Sequence, residues 1–278
     1  MISPTLPDIS AYLQEDIGSG DITAAIIPQT VQAEAVVITR EARVLCGQPW
    51  FDAVFKHLTA DVAILWLAQE GDAISAGATL CNLSGSARTL LTGERTALNL
   101  LQTLSATATV AKQYADAVAG TGCKVLDTRK TIPGLRKAQK YAVACGGCYN
   151  HRIGLYDGVL IKENHIIAAG SIAKAVQMAR QQSSVSVEVE VEVESLQEFQ
   201  EASAAKPDRI MLDNFSLADM RTAVAMNQHA IELEASGNIT LENIRSIAET
   251  GVDYISIGAL TKNIRAIDLS MRINLVTA

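Results

Sequence analysis

Val187 to Glu194 reads VEVEVEVE, four valines and four glutamates in strict alternation. A period of two is the signature of a β-strand, because successive side chains point to opposite faces. Two readings fit the run alone. In one it is an edge strand with a solvated acidic face. In the other it belongs to a closed barrel, with valines turned outward under covering helices and glutamates turned into the lumen. Interior carboxylates are too costly to leave unpaired, so the second reading requires cations in the same lumen. Arg129, Lys130 and Lys162 are the candidates.

Working outward from this run, strands are expected at Lys124 to Asp127, Gly158 to Lys162, Val185 to Val193, Arg209 to Asp213, Ile231 to Ala235 and Tyr254 to Ile257. Helical patterns separate them at Ser171 to Gln182, Leu196 to Ala204, Leu217 to Met226 and Leu241 to Glu249. Such alternation implies a parallel sheet with crossover helices. The strands end on Asp127, Lys162, Glu192 or Glu194, Asp213, Ser236 and Gly258, a set of polar or small residues. Polar groups gathered at that one rim are what an active site on a barrel needs, whereas an open doubly wound sheet concentrates them at a single switch point. No GxGxxG turn is present. The region is too short for eight βα units, which take about 250 residues, so an incomplete barrel of six to seven parallel strands is expected.

The residues before about Thr109 have a different texture. A short amphipathic helix starts near Asp8 or Ser10 and stops at Gly18-Ser19-Gly20. Alternating runs at Ala33 to Thr39 and Val62 to Ala68, punctuated by Gly47, Gly71-Asp72 and Gly77, read as antiparallel sheet. A helix opening at Thr92 or Gly93 is expected to carry Leu98, Leu101 and Leu104 inward, with Glu94 in its first turn. The expected divisions are 1–109, 110–265 and 266–278, the last packing back on the first.

The 278 residues carry 23 Lys+Arg and 30 Asp+Glu, a formal net charge of −7. That balance argues against nucleic acid and anionic membranes as partners. Apolar residues make up 49%, enough for a large aliphatic core, and no run is long enough to cross a membrane. The first residues lack the basic and apolar regions of a secretory signal, and five cysteines suit a reducing, cytoplasmic setting better than a disulfide framework. Within Lys124 to His165 the balance reverses: eight basic residues (Lys124, Arg129, Lys130, Arg136, Lys137, Lys140, Arg152, Lys162) stand against Asp127, Asp157 and Glu163, or +5. A positive island in an acidic chain is the footprint of a small polyanionic substrate. Arg136, Lys137 and Lys140 read as a solvated helix face, while Arg129, Lys130, Arg152 and Lys162 sit at strand ends.

The run from Leu126, LDTRKTIPGLRKAQKYAVACGGCYNHRIGLYDGVLIKENH, closely resembles the signature of the quinolinate phosphoribosyltransferase family. The resemblance extends through EDIGSGDIT from Glu15, GERTALNLLQ from Gly93, MLDNFS from Met211, EASGNIT from Glu234 and VDYISIGALTK from Val252. It implies an N-terminal open α/β sandwich followed by a seven-stranded α/β barrel, in a homodimer. It also implies transfer of a phosphoribosyl group from phosphoribosyl pyrophosphate to quinolinate with loss of CO2, magnesium being required, in NAD biosynthesis. By the same resemblance Arg95 reaches the neighbouring subunit's site, and Thr128, Arg129, Lys130, His151, Arg152 and Lys162 form the dicarboxylate pocket. Lys130, Glu192 and Asp213 would be catalytic, with Glu192 and Asp213 meeting the ribose hydroxyls and the magnesium-bound diphosphate. Ser236, Gly237 and Asn238, with Ile257, Gly258 and Ala259, would hold the 5′-phosphate. The chemistry suits the residue types, since guanidinium groups grip carboxylates bidentately and magnesium prefers hard oxygen ligands.

Other signals compete. Cys145-Gly-Gly-Cys148 with His151 offers three zinc ligands, but no fourth stands at matching spacing. Lys162 could form a Schiff base in an aldolase-like enzyme, which borohydride trapping would detect. A molybdenum-associated relative of the family is disfavoured by the intact NHR and KENH segments. A catalytically silent homologue is disfavoured by Arg95, Arg129, Lys130, Glu192 and Asp213. EGDAISAGATL from Glu70 resembles a biotinyl-carrier turn without its lysine. His57 and His229 read as surface or packing residues, and His165 as a structural hydrogen-bonding residue.

Overall fold

The computed structural model describes residues 6, 8–182, 187–227 and 230–276. The beginning of the strand expected from Val185, and His229, lie outside the described residues. Two compact units are present, one drawn from Met1–Lys112, Lys137–Gly147 and Asn263–Ala278, the other from Gln113–Arg136 and Cys148–Lys262. Lys137–Gly147, assigned by sequence to the barrel region, thus belongs to the first unit.

The first unit is built on an antiparallel sheet of order β12-β1-β5-β3, from β1 (Gln32–Thr39), β3 (Ala63–Trp66), β5 (Thr79–Ser86) and β12 (Leu269–Leu275). A two-residue pair, β2 (Arg43–Val44) with β4 (Ala73–Ile74), lies apart from it. Alternation along β1 buries Ala33, Ala35, Val37 and Thr39. The opening helix, α1 (Ile9–Ile17), begins where Asp8 accepts from the Ser10 N–H at 3.0 Å and ends at Gly18, in agreement with the sequence reading.

The sequence reading misses α2 (Gln48–Leu58), whose Trp50, Phe51, Val54 and Phe55 are all buried. These positions follow the helical period, and each fully buried side chain contributes roughly 2 kcal/mol. The Glu70 carboxylate caps this helix by accepting from the N–H groups of Gly47 and Gln48 at 2.8 and 2.6 Å. The long helix α3 (Ala87–Ala117) opens five residues before Thr92, so Glu94 is not in its first turn. Gly93 is no start signal. A Cβ there would come within 2.7 Å of the Phe55 ring, so the glycine permits close packing of α3 on α2. In α4 (Arg136–Cys145), Lys140 is buried and Arg136 is part-buried, which corrects the solvated-face reading for both.

The second unit carries six parallel strands, β6 (Lys124–Leu126), β7 (Val159–Ile161), β8 (Val189–Val193), β9 (Arg209–Asp213), β10 (Glu232–Ser236) and β11 (Tyr254–Ser256). Their helices are α5 (Glu163–Ala169), α6 (Ile172–Gln182), α7 (Leu196–Ala205), α8 (Leu217–Asn227), α9 (Ile244–Ala248) and α10 (Ala259–Lys262). Strand order is β6-β11-β10-β9-β8-β7, so consecutive strands from β7 to β11 are neighbours and the last pairs with the first. That cyclic order is a barrel's and has no switch point. Beyond β6 the sheet continues only as a bridge between Leu126 and Tyr149, and among the described residues no ladder joins Tyr149 to β7. The barrel is therefore six-stranded with a vestigial seventh.

In β8, Val189, Val191 and Val193 are wholly buried, Glu190 is buried and Glu192 nearly so. The lumen reading of VEVEVEVE holds for Glu190 and Glu192, whereas Glu188 and Glu194 at the ends of the run are exposed.

Candidate active site

The site forms at the C-terminal ends of these strands, beginning with the turn after β6. Asp127 is fully buried and its carboxylate accepts from the His151 N–H at 2.9 Å and from Asn150 Nδ2 at 2.6 Å. This fixes the 149–152 segment beside β6. The Arg136 guanidinium donates to Thr131 Oγ1 at 3.1 Å and to the carbonyls of Arg129 and Ile153, each at 3.3 Å. Asp157 accepts from the N–H groups of Ile153 and Gly154 at 2.7 and 2.8 Å. Thr261 Oγ1 donates to the Lys130 carbonyl at 2.7 Å. The loops bearing the cations are thereby tied down.

A cavity of about 390 Å³ opens among them. Thr128, Arg129, Lys130, His151, Arg152 and Lys162 line one part of it. Glu192, Asp213 and Ser236 line another, with Leu160, Met211 and Ser256 completing the wall. Those last three escaped the sequence reading, although the inward alternation of β7 and β9 could have indicated Leu160 and Met211. Lys162 pairs with Glu192. Of the three cations expected to offset the lumen carboxylates, Lys162 pairs with Glu192, while Glu190 and Glu234 are met by the His151 imidazole and Glu234 by the Arg209 guanidinium. Arg209, at the far end of β9, was not anticipated.

Gly237 and Asn238 lie in the turn after β10, Ile257 and Gly258 in the turn after β11, and Ala259 opens α10; none of the five lines the cavity wall itself. Gly237 has φ +96°, and a Cβ there would fall 2.2 Å from Asn214 Oδ1. Asn214, itself at φ 56°, accepts from Asn238 Nδ2 at 3.0 Å and donates to Asp213 at 2.8 Å. It couples the β9 and β10 turns, a role the sequence did not suggest. Gly258 admits Lys130, whose Cδ would lie 2.9 Å from any Cβ at that position. Arg95 lies on α3 of the first unit with its side chain exposed, 3.9 Å from Glu94.

The electrostatics are those of an anion site. Burial first, and then the neighbouring Arg129 charge, hold the Arg152 guanidinium below the usual arginine range. The Nε of Arg129 is buried and without a hydrogen-bond partner. Below the cavity, burial pushes Glu190 up to about 7 and Glu234 up to about 8, the latter also through the Glu190 charge. Between them the pair keeps a proton near neutrality.

The zinc-like pattern is not assembled. His151 gathers with Glu190 and Glu234, whereas Cys145 gathers with Cys46 and Glu70 in the first unit. All five cysteines are free, and burial pushes the Cys148 thiol up to about 12. His165 is structural as expected, with Nδ1 accepting from the Lys162 N–H at 3.0 Å at the start of α5.

Fold and site together define a barrel enzyme that binds a small polyanion. The family profile described as quinolinate phosphoribosyl transferase, C-terminal domain, matches residues 107–272, and the N-terminal domain profile matches residues 21–105. The chain belongs to the quinolinate phosphoribosyl transferase family.

A probable nicotinate-nucleotide pyrophosphorylase [carboxylating] of Synechocystis is 44% identical over 270 residues, covering 96% of this chain and 92% of that protein. Its Bacillus subtilis counterpart is 40% identical over 267 residues, again covering 96% and 92%. The solved structure of the nicotinate-nucleotide pyrophosphorylase from Francisella tularensis superimposes with a TM-score of 0.94 at 48% identity, covering 98% of each chain.

Proposed function

We propose that the chain transfers the phosphoribosyl group of phosphoribosyl pyrophosphate to quinolinate, releasing pyrophosphate and CO2 and forming nicotinate mononucleotide for NAD biosynthesis. One observation carries this reading: Arg129 and Arg152 repel each other in a half-buried cavity that also holds Lys130 and Lys162. Cations held together against their own repulsion are stabilised when a dianion arrives.

In this reading the pyridine nitrogen attacks C1 of the ribose as the C1–O bond to pyrophosphate breaks. The positive charge on the alkylated ring nitrogen then stabilises the electron pair that the departing CO2 leaves on the adjacent ring carbon, and a proton is taken up at that carbon. Arg129, Arg152 and Lys130 orient the dicarboxylate. Glu192 and Asp213 face the ribose and stabilise positive charge developing at C1. The turns Ser236 to Asn238 and Ile257 to Ala259 would hold the 5′-phosphate.

Glu192 and Asp213 supply hard carboxylate oxygens on one cavity wall, but among the described residues they do not converge with a third ligand into a cage. That donor set fits magnesium bound mainly through diphosphate oxygens. The ion would neutralise the leaving pyrophosphate. Arg95 is assigned to the neighbouring subunit's site in a homodimer, and a cytoplasmic location suits the five free thiols. Among the described residues no helix is long and apolar enough to cross a membrane.

The decisive assay combines the protein, magnesium, phosphoribosyl pyrophosphate and either quinolinate or nicotinate, with CO2 and mononucleotide both measured. Quinolinate should yield equal amounts of the two. Product from nicotinate alone would overturn the substrate assignment. For Arg95, mixing inactive Arg95→Ala and Arg129→Ala proteins should restore activity through mixed dimers, and no recovery after exchange of subunits would refute the shared site.

A further inference from the structure

The family reading leaves three charged groups beneath the cavity, Glu190, Glu234 and Arg209, without a task. His151 Nε2 stands 2.8 Å from Glu190 Oε2 and 3.7 Å from Glu234 Oε2. Arg209 reaches Glu234 at 3.4 Å, and its guanidinium stacks on the Tyr254 ring at 4.1 Å from the centroid. Glu234 has no exposed side-chain surface, Glu190 has 6% and His151 has 10%. A buried acid pair of this kind is expensive to keep, and a scaffold with no further use for it would be as stable with apolar residues in its place.

The hydrogen bonding on the other side of the imidazole gives it a use. The main-chain N–H of Arg152 donates to His151 Nδ1 at 2.8 Å. A main-chain N–H can only donate, so Nδ1 must present its lone pair and the ring proton must sit on Nε2. Nε2–H then points at the Glu190 carboxylate. Both ring nitrogens are engaged by protein, so His151 acts as a spacer between the lumen acids and the Arg152 backbone. Arg152 is further held by its guanidinium donating to the Gly158 carbonyl at 3.0 Å.

We infer that Glu190, backed by Glu234 and Arg209, is a positioning residue that locks His151 in its Nε2–H tautomer and so sets the Arg152 main chain, and with it the guanidinium that grips the pyridine dicarboxylate. The inference rests on the substrate reading above for its last link only. Its direction is specific: the relay ends on the carboxylate side of the cavity, so it governs binding of the dicarboxylate and leaves binding of the diphosphate donor alone. His151 thereby changes from a direct carboxylate ligand to a strut.

Glu190→Gln and Glu190→Leu separate this role from simple packing. The Gln carbonyl still accepts from Nε2–H, so Glu190→Gln should keep KM for quinolinate within about twofold of the parent. Glu190→Leu removes the acceptor and should raise that KM about tenfold, with kcat and KM for phosphoribosyl pyrophosphate within about twofold. Equal rises in both KM values, or no rise in Glu190→Leu, would overturn the inference. Nitrogen NMR of the His151 ring in the unmodified protein provides a test that needs neither variant nor turnover. It should report a protonated Nε2 and an unprotonated Nδ1, and an Nδ1–H tautomer or a doubly protonated ring would overturn the lock. If quinolinate is not turned over at all, the functional reading fails while the NMR result still decides the tautomer.

Discussion

The two ends of the parallel sheet carry opposite charge and treat it differently. At the C-terminal end, Arg129, Lys130, Arg152 and Lys162 share a cavity with only Glu192 and Asp213. At the N-terminal end a second hollow is lined by Glu188, Asp208, Glu232 and Asp253. There the acids have partners: Asp208 meets Arg180 at 2.8 Å, Glu232 meets Arg209 at 3.1 Å and the Tyr254 hydroxyl at 3.0 Å, and Asp253 accepts from the Leu233 N–H at 2.8 Å. Charge at the floor is compensated by the protein itself, whereas charge at the top is left partly uncompensated. Compensation marks structure, and its absence marks the place where a ligand completes the balance.

Substitutions at the two ends should therefore separate activity from stability. The largest effect is expected from Arg129→Ala, which should lower kcat/KM for quinolinate by about 10³-fold or more, roughly 4 kcal/mol, while the melting temperature stays close to that of the parent. Near-normal turnover would dissolve the contrast. At the floor, Arg209→Ala strands Glu234 and should cost about 3–5 kcal/mol in urea unfolding, because a buried carboxyl loses its cation.

The acid pair between the two ends makes stability depend on pH in an unusual sense. Glu190 and Glu234 have folded values raised to about 7 and about 8, so the native state binds more protons than the unfolded chain above the ordinary glutamate range. Stability from the pair is complete at about pH 4.5 and declines as pH rises towards about 8, with a slope of up to about 1.4 kcal/mol per pH unit for each proton. Urea midpoints between pH 5 and 8 should fall accordingly, and Glu234→Gln should flatten the fall. The smallest effect belongs to Asp208→Asn, which weakens a half-exposed pair with Arg180. It should cost under about 1 kcal/mol and leave both KM values unchanged, so a loss of turnover there would show that the floor takes part in the chemistry.

Legibility followed the same division. Each barrel strand was readable because it ends in a change from apolar to polar residues, and the strand-end rule placed Asp127, Lys162, Glu192, Asp213 and Ser236 at the site or directly beneath it. Alternation likewise revealed the inward acids of β8. Arg209 was hidden because it opens its strand, where charge is ordinarily solvent-facing. Lys140 was hidden because helix periodicity does not say which polar residue will be buried. The helix α2 was masked by Gly47, which reads as turn punctuation but stands at its N-cap, with a proline in the first turn. Gly93 misled in the opposite way, since a glycine required by the Phe55 ring is indistinguishable in sequence from one that begins a helix. Tertiary contacts decided each of these, and one chain read alone does not display them.

The pairing of β1 with β12 has a consequence for how the chain is made. Val37 lies opposite Met271, so residues 234 positions apart share a ladder. During synthesis the whole second unit leaves the ribosome before β12 exists. Until then β1, with its buried row of Ala33, Ala35 and Val37, has β5 on one side and an unpaired edge on the other. An open apolar edge recruits other strands, so the nascent chain is most prone to aggregate in the interval before residues 269–275 emerge. The part of the protein made first is the part finished last.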